Sequence, residues 1–179
     1  MPASVRSVSN PKGESPTVKT LKLSLVLALL LLPMSAFAAV PWTGSPGSST
    51  VDEAAAGIYK LDQGQLAYNA AGSTTTIVAR LNVTDTTATG YPNWTTMALW
   101  GYDPSPNSTI VAKLFRYTSG GSITNIATCA TTDSATLQVA TCGLLNNVDF
   151  NSGYIYEVVI ELGRSSTAVS PFVYGVRLY

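Results

Sequence analysis

The chain has 179 residues, with ten basic side chains, ten acidic side chains and no histidine. Without imidazole, the Ser-His-Asp and Cys-His nucleophilic arrangements and all histidine-ligated metal sites are excluded. The basic residues are scattered along the chain, so there is no basic patch for nucleic acid or for an anionic membrane surface.

The first recognisable element is a secretory signal peptide, predicted for residues 1–38. Basic Lys19–Lys22 precedes the apolar run Leu23–Leu32, and Ala36-Phe37-Ala38 follows as a small-x-small cleavage site. The apolar run is much shorter than the roughly 20 residues of a membrane-spanning helix. We therefore expect a secreted or periplasmic protein without a transmembrane helix. Val18 is an alternative translation start, as in some bacterial genes, and a bacterial source is the expectation.

Residues 39–179 have the length of one domain. Their first part, 39–56, contains Pro41, Gly44, Pro46 and Gly47. This composition predicts a flexible leader. The domain itself is predicted to cover residues 57–179.

Strand-like runs fill that domain, rich in Thr, Val, Ile and Tyr and interrupted at short intervals by Gly, Pro, Asn and Asp. They are Ile58–Leu61, Gln65–Asn69, Ile77–Val83, Met97–Tyr102, Thr109–Tyr117, Ile123–Thr128, Leu137–Cys142, Tyr154–Leu162 and Phe172–Leu178. Segments 103–108 and 118–122 predict short turns between antiparallel strands. The pattern predicts an all-β fold, an antiparallel β-sandwich of eight or nine strands, jelly-roll-like in kind.

The clearest alternation is in the run Tyr154–Leu162. Its even-numbered residues form one apolar face, and Glu157 and Glu161 lie on the other. We predict that the apolar face packs with a second alternating set: Phe172, Tyr174, Val176 and Leu178.

Cys129 and Cys142 are the two cysteines of the chain, and an exported protein meets an oxidising environment. A structural disulfide is predicted, and closing a loop of this length stabilises a fold by about 3 kcal/mol. A redox pair or a pair of metal thiolates is the alternative, although two thiolates without histidine make a poor zinc site.

Carboxylate pairs are the remaining catalytic chemistry to consider. Glu157 and Glu161 share a strand face but stand roughly 13 Å apart, too far for glycoside hydrolysis. We expect them to be solvated residues on an outer sheet face. Asp103 and Asp149 could meet through the fold, but Asp103 is predicted to start a turn by accepting backbone N–H bonds. Oxygen ligands for calcium, Asp103 with Asn107 or Asp149 with Asn151, lack the spacing of a calcium loop.

Four aromatic residues gather between positions 91 and 102. Trp100 and Tyr102 lie in a strand that is apolar on both faces, and we expect them to pack in the core. Tyr91 and Trp94 flank Pro92 and Asn93 near a loop. They are the predicted ligand surface, because exposed aromatic faces stack on sugar rings.

Two stretches carry a family resemblance. The segment Met97–Cys142, with its strand end Ala98–Asp103 and its later cysteine, resembles a loose group of secreted bacterial β-sandwich proteins without an assigned activity. So does the stretch Gly153–Val158. The resemblance implies the fold and the exported location, and it assigns no functional residue.

The sequence therefore favours an exported, non-catalytic β-sandwich domain that binds a glycan, a protein or its own copies, with no cofactor or metal. A small outer-membrane β-barrel is one alternative. A carboxylate-based hydrolase is the other. The sequence does not indicate the ligand, the oligomeric state or which exported compartment the protein occupies.

Overall fold

A computed structural model describes residues 40–69, 72–87 and 89–179 of the chain. The predicted signal peptide and Ala39 lie outside the described residues. These described residues form eleven strands: β1 (Trp42–Gly44), β2 (Thr50–Val51), β3 (Tyr59–Asp62), β4 (Gln65–Tyr68), β5 (Ile77–Val83), β6 (Thr96–Tyr102), β7 (Ser108–Tyr117), β8 (Ile123–Ala130), β9 (Leu137–Gly143), β10 (Ile155–Arg164) and β11 (Phe172–Leu178). Two short 3₁₀ turns, Pro46–Ser48 and Glu53–Ala55, flank β2.

The strands form two antiparallel sheets. Sheet A has the order β3-β4-β11-β6-β9, with β1 also paired to β11, and sheet B has the order β2-β5-β10-β7-β8. The predicted β-sandwich is therefore confirmed. Both sheets are open, with edge strands at each side, so the closed-barrel alternative is wrong. In the described part of the chain, no helix has the length and apolar character needed to cross a membrane.

The core lies between the sheets because each strand alternates. In β5 every second residue from Ile77 to Val83 is buried, and in β10 the same holds from Tyr156 to Leu162. They join one cluster with the inward residues of β6 and β11, such as Leu99 and Val176. A buried aliphatic side chain contributes about 1.5–3 kcal/mol, so this shared layer is the main source of stability.

The predicted disulfide joins the two sheets. Cys129 and Cys142 are bonded, with their Cα atoms 5.5 Å apart. Cys129 belongs to β8 and Cys142 to β9, and these are edge strands of opposite sheets. The bond therefore closes one side of the sandwich.

The prediction that β10 packs against β11 is correct for two of the four β11 residues. The two strands lie in different sheets, since β10 pairs with β5 and β7, and Val176 and Leu178 share the core cluster with the inward residues of β10. The prediction is wrong for Phe172 and Tyr174, which point outward. A register shift between Val173 and Gly175 inserts an extra residue opposite β6, so Val173 and Val176 can both be buried while Tyr174 is exposed.

The leader prediction for 39–56 also needs correction. Its described part contributes β1, which pairs with β11, and β2, which pairs with β5. Trp42 is buried in the core.

Segment 103–108 is a turn as predicted, but it carries the chain from sheet A to sheet B. Segment 118–122 is a hairpin turn between the paired strands β7 and β8.

Candidate functional site

The predicted ligand surface at Tyr91 and Trp94 is not formed. Trp94 is fully buried, donates from its indole Nε1 to the Val40 carbonyl at 2.9 Å, and packs edge-on against Phe150 at 6.3 Å. Asn93, just before it, has a left-handed backbone with φ of 55°, and the next residue enters the core. The Trp94 assignment is wrong because a local loop signal does not show which way a ring turns. Tyr91 is exposed, but without its predicted partner.

Trp100 and Tyr102 show the reverse error, because they are predicted to pack in the core and instead lie outside it. In β6 the residues Met97, Leu99 and Gly101 alternate toward the core, which places Trp100 and Tyr102 on the outer face of sheet A. Both side chains are half-buried by their neighbours on that face. The apolar character of both faces of β6 thus reflects a central strand with an aromatic outer surface.

Aromatic side chains from β11 extend this surface. Phe172 lies directly opposite Tyr102, and their rings stack with centroids 4.9 Å apart at an angle of 24°. Tyr174 meets Phe172 edge-on at 5.3 Å. We call Trp100, Tyr102, Phe172 and Tyr174 the aromatic face. The rings of Tyr102, Phe172 and Tyr174 contact one another, so this part of the face is ordered before any ligand arrives.

Apolar residues continue this surface toward the edge of the sheet. On β9, Leu137 lies opposite Tyr102 and Val139 opposite Trp100. Both are exposed by about half of their surface, at 51% and 53%. Water therefore covers a contiguous apolar and aromatic area, and such areas mark interaction sites on soluble proteins.

A shallow groove of about 310 Å³ lies beside the aromatic face. Trp100 and Tyr174 line it on one side, Thr43 and Ser45 from the β1 segment line it on another, and Arg177 completes it. The volume is at the low end of the about 300–1,000 Å³ that is usual for small-ligand sites. The groove thus combines rings with hydroxyl and guanidinium groups.

The outer face of sheet B has a different character. Glu157 accepts from the Tyr117 hydroxyl at 2.6 Å and from Arg80 at 3.3 Å, and Arg80 also pairs with Asp52 at 3.1 Å. The bond to Glu157 raises the pKa of Tyr117, and the bond to Asp52 raises the pKa of Arg80. Charged side chains here bind one another. A second groove of about 320 Å³, beside Asn82 and Ile155, lies on this face.

Glu157 and Glu161 lie on this outer face, as predicted. Glu161 accepts from Lys113 at 2.6 Å, so each of the two carboxylates has its own cationic partner.

The two aspartates considered for catalysis lie at opposite ends of the sandwich. Ser108, which donates to the Asp103 carboxylate at 2.5 Å, pairs with Arg164 at the last position of β10. Asp149 lies before the first position of that strand, and ten residues at about 3.3 Å each separate the two ends by roughly 30 Å. This pair therefore cannot form a hydrolytic site.

Each aspartate supports its own turn. The second oxygen of buried Asp103 accepts from the Thr131 hydroxyl at 2.6 Å, so its partners are hydroxyls and not the predicted backbone N–H groups. Asp149 accepts from the backbone N–H of Asn151 at 2.9 Å and of Ser152 at 3.2 Å. The described residues contain no group of three or more acidic, histidine or cysteine side chains placed to hold a metal ion.

The sequence-based search missed Phe172, Tyr174, Arg177 and Thr43. The bulge in β11 hides the first two, because strict alternation assigns Tyr174 to the core. The sequence carries one weak signal for this surface. Trp100 and Tyr102 share one face of β6, while the other face of that strand is already apolar and can fill the core alone.

The chain is similar in structure to several solved proteins, but no comparison places it in a family. No family model matches the chain, and no curated protein matches it. Among solved structures, it is similar to a xylan-binding module, CBM15, at 12% identity and a TM-score of 0.46, covering 78% of this chain and 95% of that one. A family 11 carbohydrate-binding module from Clostridium thermocellum, in complex with a β-1,3-1,4-mixed-linked tetrasaccharide, has 10% identity and a TM-score of 0.41, covering 82% and 91%.

A family two carbohydrate esterase from Cellvibrio japonicus has 11% identity and a TM-score of 0.44, covering 78% of this chain. This chain spans 33% of the length of that esterase.

Proposed function

We propose that this chain is an exported, non-catalytic β-sandwich domain that binds a polysaccharide on the aromatic face of sheet A. The observation that carries the proposal is the outward direction of Trp100, Tyr102, Phe172 and Tyr174 on one sheet surface. Export is supported by the signal-like pattern at residues 19–38.

Saccharides fit this surface for a chemical reason. One side of a pyranose ring presents C–H groups, and an aromatic ring has a negative face that attracts such hydrogens. The sugar hydroxyls then need hydrogen-bond partners at the side. Thr43, Ser45 and Arg177 supply those partners in the groove next to Trp100. Several rings along one sheet face also suit a chain of sugar units better than a single small molecule.

The absence of catalysis is inferred from where the acids lie. The residues that line the groove include no carboxylate: Thr43, Gly44, Ser45, Trp100, Tyr174, Gly175 and Arg177. Glu157 and Glu161 lie on the opposite outer face, each with a cation. Hydrolysis of a sugar bound on the aromatic face would need a pair of carboxyl groups at that face.

The experiment is a glycan array with the purified protein, followed by calorimetry on the best ligand. We expect Trp100→Ala to weaken binding by about tenfold or more, since about 1.4 kcal/mol is a factor of ten in Kd. Tyr91→Ala is the matched control, because Tyr91 is an exposed aromatic residue on a loop outside the aromatic face. It should leave Kd unchanged.

Two results would overturn the proposal. One is an array without any bound glycan. The other is equal affinity in the Trp100→Ala variant and the unmodified protein. Light scattering on the same samples tests whether the protein binds a second copy of itself. A dimer that Trp100→Ala dissociates would assign the aromatic face to self-association instead.

A further inference from the structure

We infer that the glycan is anionic, and that Arg177 binds the carboxylate of a uronic acid unit while Trp100 stacks on the same or the adjoining sugar. The inference rests on the proposed function and adds the chemical class of the ligand. It starts from the position of one cation on an otherwise apolar surface.

Arg177 lies in the row of sheet A next to the Trp100 row. It faces Thr43 on β1 and Ala98 on β6, and the row beside it pairs Trp100 with Gly175. Its guanidinium carbon is 5.6 Å from the centre of the Tyr179 ring. The side chain also lines the groove that Trp100 and Tyr174 border, so the charge lies at the edge of that groove.

Among the described residues, the other cationic side chains on the outer sheet faces have anionic partners, and Arg177 has none. Lys60 pairs with Asp62 at 3.8 Å, and the Arg80 and Lys113 side chains pair with the carboxylates of sheet B and its neighbouring segment. Among the ion pairs of the described residues, none involves Arg177. Since Lys60 and Asp62 cancel each other on β3, Arg177 leaves one positive charge among the described side chains on the outer face of the sheet A strands. This local charge opposes the excess of acids over bases in residues 39–179.

Gly175 lies between Trp100 and Arg177 in the lining of the groove, where β1 packs closely against β11. A Cβ atom at this position would lie 2.7 Å from the Gly44 carbonyl oxygen, so the pairing of β1 with β11 requires glycine here. As a consequence, the backbone of Gly44 and Gly175 forms the part of the groove lining between Trp100 and Arg177. A sugar bound in the groove would have the ring on one side of this backbone and the guanidinium on the other.

A carboxylate is the group that best matches these features. The planar guanidinium forms two parallel N–H bonds with a carboxylate, and it keeps its charge across the physiological pH range. A neutral sugar would offer this exposed cation hydroxyl partners alone. A sulfate ester presents similar oxygens, and the experiment has to distinguish the two groups.

The experiment compares acidic and neutral forms of the same sugar. The probes are oligogalacturonate, oligoglucuronate and oligomannuronate, each beside its methyl-esterified form, together with a sulfated galactan oligomer. We expect one uronate to bind about tenfold or more tightly than its methyl ester, because the ester loses the charge-assisted bonds. Raising the salt concentration should weaken binding of the acid and spare the ester.

Arg177→Gln should abolish the preference while leaving affinity for the ester near that of the unmodified protein. Arg177→Lys, which keeps the charge and loses the planar fork, should retain part of the preference. Lys60→Gln is the matched control, because it removes one positive charge from the same sheet outside the groove. It should retain the full preference.

The outcomes separate this inference from the proposed function. If neutral glycans bind through Trp100 and no uronate is preferred, the anionic class is wrong and glycan binding stands. A preference that survives in Arg177→Gln also overturns the role of Arg177. If the sulfated oligomer binds more tightly than every uronate, the carboxylate assignment is wrong. If no glycan binds at all, both proposals fail.

Discussion

Reduction of the Cys129–Cys142 bond should lower the free energy of unfolding by about 3 kcal/mol. The bond joins residues 13 positions apart, and the chain-entropy relation for a loop of this size gives about that value at 25 °C. With a urea m-value of about 2 kcal/mol per molar, the unfolding midpoint should fall by about 1.5 M. Urea titrations of the oxidised and the reduced protein, followed by tryptophan fluorescence, measure the shift. A thiol assay on each sample confirms the redox state.

A double variant separates the cross-link from the packing of the sulfur atoms. Cys129 is buried, so Cys129→Ala/Cys142→Ala also removes packing and should be somewhat less stable than the reduced protein. It should show no response to reductant. The loop-entropy reasoning is refuted if the reduced and oxidised proteins unfold at the same urea concentration. It is also refuted if reductant shifts the double variant equally.

Three further substitutions test other parts of the fold. Asp103→Asn should lower the free energy of unfolding by about 2–3 kcal/mol in urea titrations, because it weakens two hydroxyl bonds to a buried, charged carboxylate. Asp133→Asn, at an exposed position, should change it by less than about 0.5 kcal/mol. Burial raises the pKa of Tyr68 above its ordinary value of 10.0. The protonated Tyr68 hydroxyl therefore contributes its full stability below about pH 10. That stability is lost as the pH rises through the pKa of Tyr68 in the folded protein. Unfolding curves between pH 8 and 11 should show a smaller alkaline loss in Tyr68→Phe, and an equal loss would contradict this account. A double-mutant cycle on Lys113 and Glu161 should give a coupling of about 0.2–1 kcal/mol that falls with added salt, and a larger, salt-independent value would be inconsistent with a partly exposed pair.

The long strands could be predicted because their signal is local. Ile77–Val83 and the run that begins at Tyr154 alternate over seven or more residues, so burial and strand identity follow from the sequence pattern itself. β1 and β2 have three and two residues, and this is too short for any periodicity. Their pairing depends on contacts with β11 and β5, which are distant in sequence. A segment with two prolines therefore has the composition of a leader and the structure of part of a sheet.

The candidate site could not be predicted because it depends on which face of each strand meets the other sheet. β6 is apolar on both faces, so composition alone does not say whether Trp100 or Leu99 points inward. The neighbours decide it, since Leu99 pairs with Val176 of β11 in the inward layer. Trp94 shows the converse case. Its position near a loop indicates exposure, while its indole N–H bond to Val40 and its contact with Phe150 hold it inside.

The bulge in β11 links the fold to the proposed site. Without the extra residue, Val173 and Val176 could not both face the core, and with it Tyr174 is placed outward beside Phe172. Tyr174 is 41% exposed and so adds little to the buried core. The aromatic face is therefore separable from folding: it can lose a ring without losing the sandwich, whereas a polar side chain at Val173 would place an unsatisfied group in the apolar layer. This difference in burial is the reason that binding and stability can be measured independently on the two neighbouring positions.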